Sequence, residues 1–160
     1  MKIGLFASAF NPLHAGHLWA IKQAIKAEVC VAVVAAVQLD PTIARPGKRA
    51  PIWPCADRCE MVLTCPGVIQ ATFYDTEDSL RMLIEYVQPN VLIVGEDHRN
   101  DPVTGADLGI PIFWAKRRPG WSSTEFVDAI YRHERDRRAE QASQSVPEAG
   151  DSADHRGVQA

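Results

Sequence analysis

The sequence predicts one α/β domain, a five-stranded parallel sheet flanked by helices. Three observations predict it. Short apolar runs alternate with amphipathic stretches from Lys2 to Tyr131. The run Val29 to Val37 is apolar throughout and lies between helical stretches, as a parallel strand buried on both faces must. The first strand passes almost at once into a helix, and strand, helix, strand at this spacing makes a βαβ unit with a right-handed crossover.

The composition fits that class. With 160 residues the chain is long enough for one domain with a real core. It is 46% hydrophobic and 23% charged, as globular chains are. The formal net charge of −3 argues against a surface that coats nucleic acid. The longest apolar run falls far short of the ~20 residues of a membrane helix. Lys2 is followed directly by a strand and not by signal-peptide order, so the cytoplasm is the expected location. Cys55 and Cys59 share a helix face, and with Cys65 and a distant His they offer a zinc site. The spacing matches no zinc knuckle, and Cys30 lies in an apolar strand, so reduced thiols are the reading taken.

In chain order, the first strand is Lys2 to Ala7, and a turn runs from Ser8 to Pro12. A helix from about Ala15 to Ala27 follows, with Leu18, Ile21, Ala24 and Ile25 on one face. Trp19 lies at the margin of that face, placed either to pack or to stack on a base. The second strand is Val29 to Val37. Gln38 to Pro54 reads as a loop rich in Pro and cations, either a solvated surface loop or a mobile lid. A helix spans Cys55 to about Thr64, a third strand Val68 to Phe73, and a helix Asp75 to Val87. Pro89 turns the chain into strand Asn90 to Val94, whose tip is Gly95-Glu96-Asp97-His98. In open α/β sheets ligands sit beyond the carboxyl ends of the strands, so this tip should face one. A polar loop leads to the fifth strand, Ile110 to Ala115, where Pro111 suits an edge. Lys116-Arg117-Arg118 then precedes a last helix capped by Ser122, Ser123 or Thr124. Gln141 to Ala160 has almost no large apolar residue. The expected organisation is therefore a domain over residues 1–138 and a disordered tail over 139–160.

The chemistry concentrates in Phe10-Asn11-Pro12-Leu13-His14-Ala15-Gly16-His17. Two histidines flank a glycine where a strand hands over to a helix N-terminus, a place with unpaired N–H groups and partial positive charge. That place suits a phosphate, and two imidazoles there can donate to phosphoryl oxygens as charge builds. The plain alternative makes them ordinary loop and helix-cap residues. A cation cluster beside the last helix N-terminus is a second phosphate site.

His14-Ala15-Gly16-His17 after a Phe-Asn-Pro turn resembles the HxGH signature of the HIGH-motif, cytidylyltransferase-like nucleotidyltransferase superfamily. Trp121-Ser122-Ser123-Thr124-Glu125-Phe126 is similar to that family's "SST" helix start, and the resemblance covers roughly residues 1–135. It implies a Rossmann-like fold and nucleotidyl transfer: an acceptor phosphate attacks the α-phosphorus of a nucleoside triphosphate and pyrophosphate leaves. His14, His17 and Lys48 are then the catalytic set. Ser8, Ala9, Phe10, Arg49, Arg58, Gly95, Glu96, Asp97, Arg118, Ser122, Ser123 and Thr124 are the nucleotide- and phosphate-binding set. The family's glycines and hydroxyl before Phe10 are here Ala7, Ser8 and Ala9. Arg58 lies in a helix resembling the family's RxxMV element, whose arginine faces phosphates, or else forms a surface ion pair. Mg²⁺ enters with the triphosphate, bridged by substrate oxygens, and no protein metal cage is visible. The partners are the triphosphate and a phosphorylated small molecule, without nucleic acid or membrane. Relatives of this kind imply a possible homodimer.

The resemblance divides over substrate. Glu77 to Asp97 and Ser-Ser-Thr-Glu-Phe are similar to the glycerol-3-phosphate and heptose-phosphate cytidylyltransferases, making CTP and a polyol- or sugar-phosphate the preferred pair. Phe-Asn-Pro, the Asp57-to-Val62 helix and Arg118-Pro119-Gly120 resemble nicotinamide-mononucleotide adenylyltransferases, making ATP the alternative. A non-catalytic nucleotide-binding protein of the same fold is the third reading.

Overall fold

A computed structural model describes residues 1–144. Five parallel strands form one sheet in the order β3-β2-β1-β4-β5. They are β1 (Ile3–Ser8), β2 (Ala32–Gln38), β3 (Val68–Tyr74), β4 (Val91–Gly95) and β5 (Ile112–Ala115). The helices are α1 (Ala15–Lys26), α2 (Pro41–Ala44), α3 (Cys55–Leu63), α4 (Glu77–Val87) and α5 (Ser123–Gln144). This is the α/β, Rossmann-like arrangement expected, with β5 at an edge.

Strand alternation produces two core layers. Phe6, Val33, Val37 and Ile93 pack with Ile21 and Ala24 of α1 and Val62 of α3. Leu5, Ala36, Tyr74 and Leu92 pack with Leu80 and Ile84 of α4. β2 is buried along its whole length, which explains its unbroken apolar sequence. It begins at Ala32 and not at Val29, because Glu28 takes a left-handed φ of 58° and Val31 is exposed. The chain runs outward from β1 through β2 to β3, then returns to β4 on the other side of β1. The pairing of Phe6 with Ile93 sets the ends of β1 and β4 side by side, at the point where strand order reverses.

The stretch read as a loop over 38–54 contains one short helix. Asp40 caps α2 by accepting the Thr42 N–H at 2.8 Å. All four cysteines are free thiols. No helix among the described residues is long and apolar enough to cross a membrane.

By contacts the chain forms two units, residues 1–126 and the stretch from Val127 onward. The first holds the sheet. The described part of the second is the continuation of α5, where Glu134 pairs with Arg137 and Arg138 at 2.7 Å each. α5 runs to Gln144, past residue 138, and the rest of the expected tail lies outside the described residues.

Candidate functional site: two turns at the carboxyl end of the sheet

β1 ends at Ser8 and the chain turns sharply. Phe10 takes a left-handed φ of 46°, which costs a non-glycine residue of order 1–3 kcal/mol. Burial holds it there: the ring is 1% exposed and packs 5.5 Å from Phe6 and 4.8 Å from the His17 ring, centroid to centroid. The side chain of Phe10 therefore shapes the turn, and Ser8 and Ala9 are half-buried beside it.

The two histidines cap α1 and fix each other. His14 is the N-cap, and its Nδ1 accepts the Gly16 N–H at 3.0 Å. His17 reaches back, its Nδ1 accepting the His14 N–H at 3.2 Å. A nitrogen that accepts carries no hydrogen, so each neutral ring bears its proton on Nε2. The rings lie face to face, centroids 3.9 Å apart and inclined by 31°. Burial pushes His17 down to about 3, with His14 adding to the effect. His14 is held below its usual value by burial and then by Arg117, with Glu125 opposing. Both rings are thus neutral hydrogen-bond donors near pH 7. Nδ1 of each ring makes the cap, and Nε2 of His17 lies 3.2 Å from Ser8 Oγ.

Gly16 joins this turn to the second one. A Cβ there would lie 2.8 Å from His14 Cε1 and 2.8 Å from the Trp121 carbonyl oxygen. Only glycine lets the segment before α5 approach so closely. In that segment the carboxamide of Gln23 donates to Lys116 O at 2.8 Å and accepts Lys116 N–H at 3.1 Å. This clamp fixes the backbone just before Arg117 and Arg118. Arg117 pairs with Glu125 at 3.6 Å and lies close enough to His14 to depress its pKa. Arg118 lies over the Trp121 ring, 5.3 Å from its centroid. Ser122 Oγ accepts the Glu125 N–H at 3.1 Å, so Ser122 is the cap, while Ser123 and Thr124 occupy the first turn of α5. Of these residues, Gln23, Lys116, Arg117 and Arg118 line a cavity of about 530 Å³, together with Leu18, Trp19 and Lys22 of α1.

Arg58 is held in a clasp of backbone carbonyls. Its side chain is 1% exposed and donates to Trp53 O at 3.1 Å, Gln38 O at 2.8 Å, Leu39 O at 2.7 Å and Ala9 O. The guanidinium ties the turn after β1, the end of β2 and the approach to α3 together.

Lys48 and Arg49 stand exposed on the loop after α2. That loop is tied to the first turn by Asn11, whose amide donates to Ala50 O at 3.2 Å and accepts the Ile52 N–H at 2.9 Å. Gly95 ends β4, while Glu96 and Asp97 begin an exposed 3-10 turn. In that turn His98 Nδ1 lies 2.8 Å from Asp101, and Arg99 covers Trp114 at 4.9 Å. Three residues escaped the sequence reading of the site: Gln23, Asn11 as a loop anchor, and Arg117 beside Arg118. The cation run offered the only signal for Arg117.

Residues 5–129 match the family described as Cytidylyltransferase-like. The bifunctional protein HldE of Gluconacetobacter diazotrophicus is 30% identical over 135 residues, 81% of this chain and 27% of the relative. HldE of Acidiphilium cryptum is 29% identical over 134 residues, with the same shares. This chain therefore spans about a quarter of the length of these curated relatives. Its fold is similar to a lipopolysaccharide core biosynthesis protein from Thermoplasma volcanium GSS1, with a TM-score of 0.57 and 22% identity over 74% of this chain and 97% of that one.

Proposed function

Because this chain belongs to the cytidylyltransferase-like family and is a nucleotidyltransferase, we propose that it moves a nucleoside monophosphate from a triphosphate to a phosphorylated polyol or sugar. CTP is the donor put first. One observation carries the reading: two neutral imidazoles are locked by backbone N–H groups so that only Nε2–H remains to donate. An acceptor phosphate oxygen bonds to the α-phosphorus as the bond to the β-phosphate oxygen breaks, and pyrophosphate leaves. Negative charge grows on the phosphoryl oxygens, and fixed donors in a partly buried turn need no reorganisation to meet it. The ring of His14 and the turn around Ser8, Ala9 and Phe10 face the reacting phosphate. Lys48, Arg49, Arg117 and Arg118 draw in the charged substrates, and Ser122 to Thr124 bring the α5 N-terminus to the β- and γ-phosphates. Gly95, Glu96 and Asp97 take the base and ribose.

Magnesium would arrive with the triphosphate, supplying charge neutralisation there. The proposed catalytic domain is residues 1–138, acting in the cytoplasm as a homodimer. The proposal concerns only the stretch matched to HldE. ATP is the second donor, supported by Phe10-Asn11-Pro12 and Arg118-Pro119-Gly120.

The test is magnesium-dependent pyrophosphate release from CTP and from ATP, each with glycerol 3-phosphate, a set of sugar phosphates and nicotinamide mononucleotide. Release with CTP and a polyol- or sugar-phosphate is the expected result. Release only with ATP replaces the donor, and binding of either nucleotide without release establishes the non-catalytic reading.

A further inference from the structure

Both ring nitrogens of His17 are engaged within the turn. Nδ1 accepts the His14 N–H at 3.2 Å, so Nε2 carries the hydrogen, and Nε2 lies 3.2 Å from Ser8 Oγ. The Phe10 N–H approaches the same oxygen at 3.5 Å. A hydroxyl oxygen that accepts from N–H groups still has its own hydrogen to give. His17 is only 9% exposed, whereas Ser8 is half-buried at the end of β1. The hydrogen presented to an incoming phosphate is therefore the hydroxyl's. Ala9, next in the chain, brings none.

Resting on the nucleotidyl-transfer reading, we propose that Ser8 Oγ–H is the donor that touches the phosphoryl oxygen, and that His17 is a positioning residue acting through it. The relay runs from His17 Nε2–H to Ser8 Oγ, and from Ser8 Oγ–H to the phosphoryl oxygen. Each bond polarises the next. No bond to Ser8 forms and the hydroxyl keeps its hydrogen throughout. The chain has thus moved a phosphate-binding hydroxyl one residue back, onto the strand end, and placed a buried imidazole behind it. Because His17 remains neutral far below pH 7, the arrangement needs no titration to be ready.

A double-mutant cycle of Ser8→Ala and His17→Asn tests this. Asparagine can accept the His14 N–H as Nδ1 does, but it does not reach Ser8. Circular dichroism first checks that each variant is folded. Two readouts are followed: kcat for pyrophosphate release, and the melting-temperature rise produced by inorganic pyrophosphate with Mg²⁺. Each single variant should lose about a hundredfold in kcat, the scale of one oxyanion donor. The double variant should be little worse than Ser8→Ala, since His17 has nothing left to act through. His17→Gln, whose amide reaches as Nε2 does, should restore rate only while Ser8 is present. Losses that multiply, or a Ser8→Ala enzyme at full rate, overturn the relay and return the phosphate contact to His17. A wild type stabilised by pyrophosphate but releasing none from any triphosphate overturns the transfer reading, and the relay is then decided by the cycle in melting shifts. A wild type showing neither response overturns both.

Discussion

The turns after β1 and β5 differ in the physics they use. In the first, Phe10 and His17 are buried, and each imidazole has one nitrogen tied to backbone. In the second, Lys116, Arg117 and Arg118 are exposed, and the Arg117–Glu125 pair is about half open to solvent. An exposed pair of that kind is worth little by itself. The first turn supplies geometry fixed before substrate arrives. The second supplies charge on long, exposed side chains. They meet where Gly16 allows the Trp121 carbonyl to approach. Donors must be in place when charge develops, whereas long-range attraction tolerates loose placement.

That contrast is broken most severely at His14. His14→Ala should lower turnover by a hundredfold or more, of order 3 kcal/mol of transition-state stabilisation. The lost cap should cost only about 1 kcal/mol of stability. Steady-state pyrophosphate release beside urea unfolding separates the two effects. Arg58→Met comes next and has the opposite profile. Four carbonyls lose their partner, so unfolding free energy should drop by about 3 kcal/mol, read by urea denaturation. An Arg58→Met protein as stable as wild type but unable to bind triphosphate would restore the direct phosphate contact.

The buried ring of His17 gives a pH signature of rigidity. In the unfolded chain it binds a proton near 6.5, in the fold only near 3. Between those values the unfolded state holds more protons. Its contribution is fully present above pH 6.5 and declines as pH falls toward 3, by about 1.4 kcal/mol per pH unit. His17→Asn should remove that slope from the stability-versus-pH curve between pH 6 and 4.5. The mildest break is Arg117→Ala. It should raise the triphosphate KM about tenfold with a smaller change in kcat, and the effect should shrink as salt is raised. An Arg117→Ala loss confined to kcat and insensitive to salt would make the second turn as preorganised as the first.

The sheet was legible because burial leaves long-range order in local sequence. β2 is apolar because both its faces are covered, and Leu18, Ile21 and Ala24 recur because one face of α1 is. His14 and His17 were legible because they sit three apart across a strand-to-helix turn. Arg58 was not legible as a clasp. Its helix position looks like any surface cation, and its four acceptors come from residues 9, 38, 39 and 53. The different settings of Arg117 and Arg118 were hidden for a similar reason, since only the folded loop shows that Arg118 lies over Trp121 while Arg117 acts on His14. Likewise the Ser8–His17 contact joins the end of a strand to the first turn of a helix and needs both in place.

The most direct measurement is magnesium-dependent pyrophosphate release by the wild type and by His14→Ala, using CTP or ATP with the phosphorylated acceptor panel. The account predicts release by the wild type and a loss of a hundredfold or more in the variant at unchanged fold. Equal rates in the two proteins would contradict it, because the locked imidazoles would then play no part in the transfer.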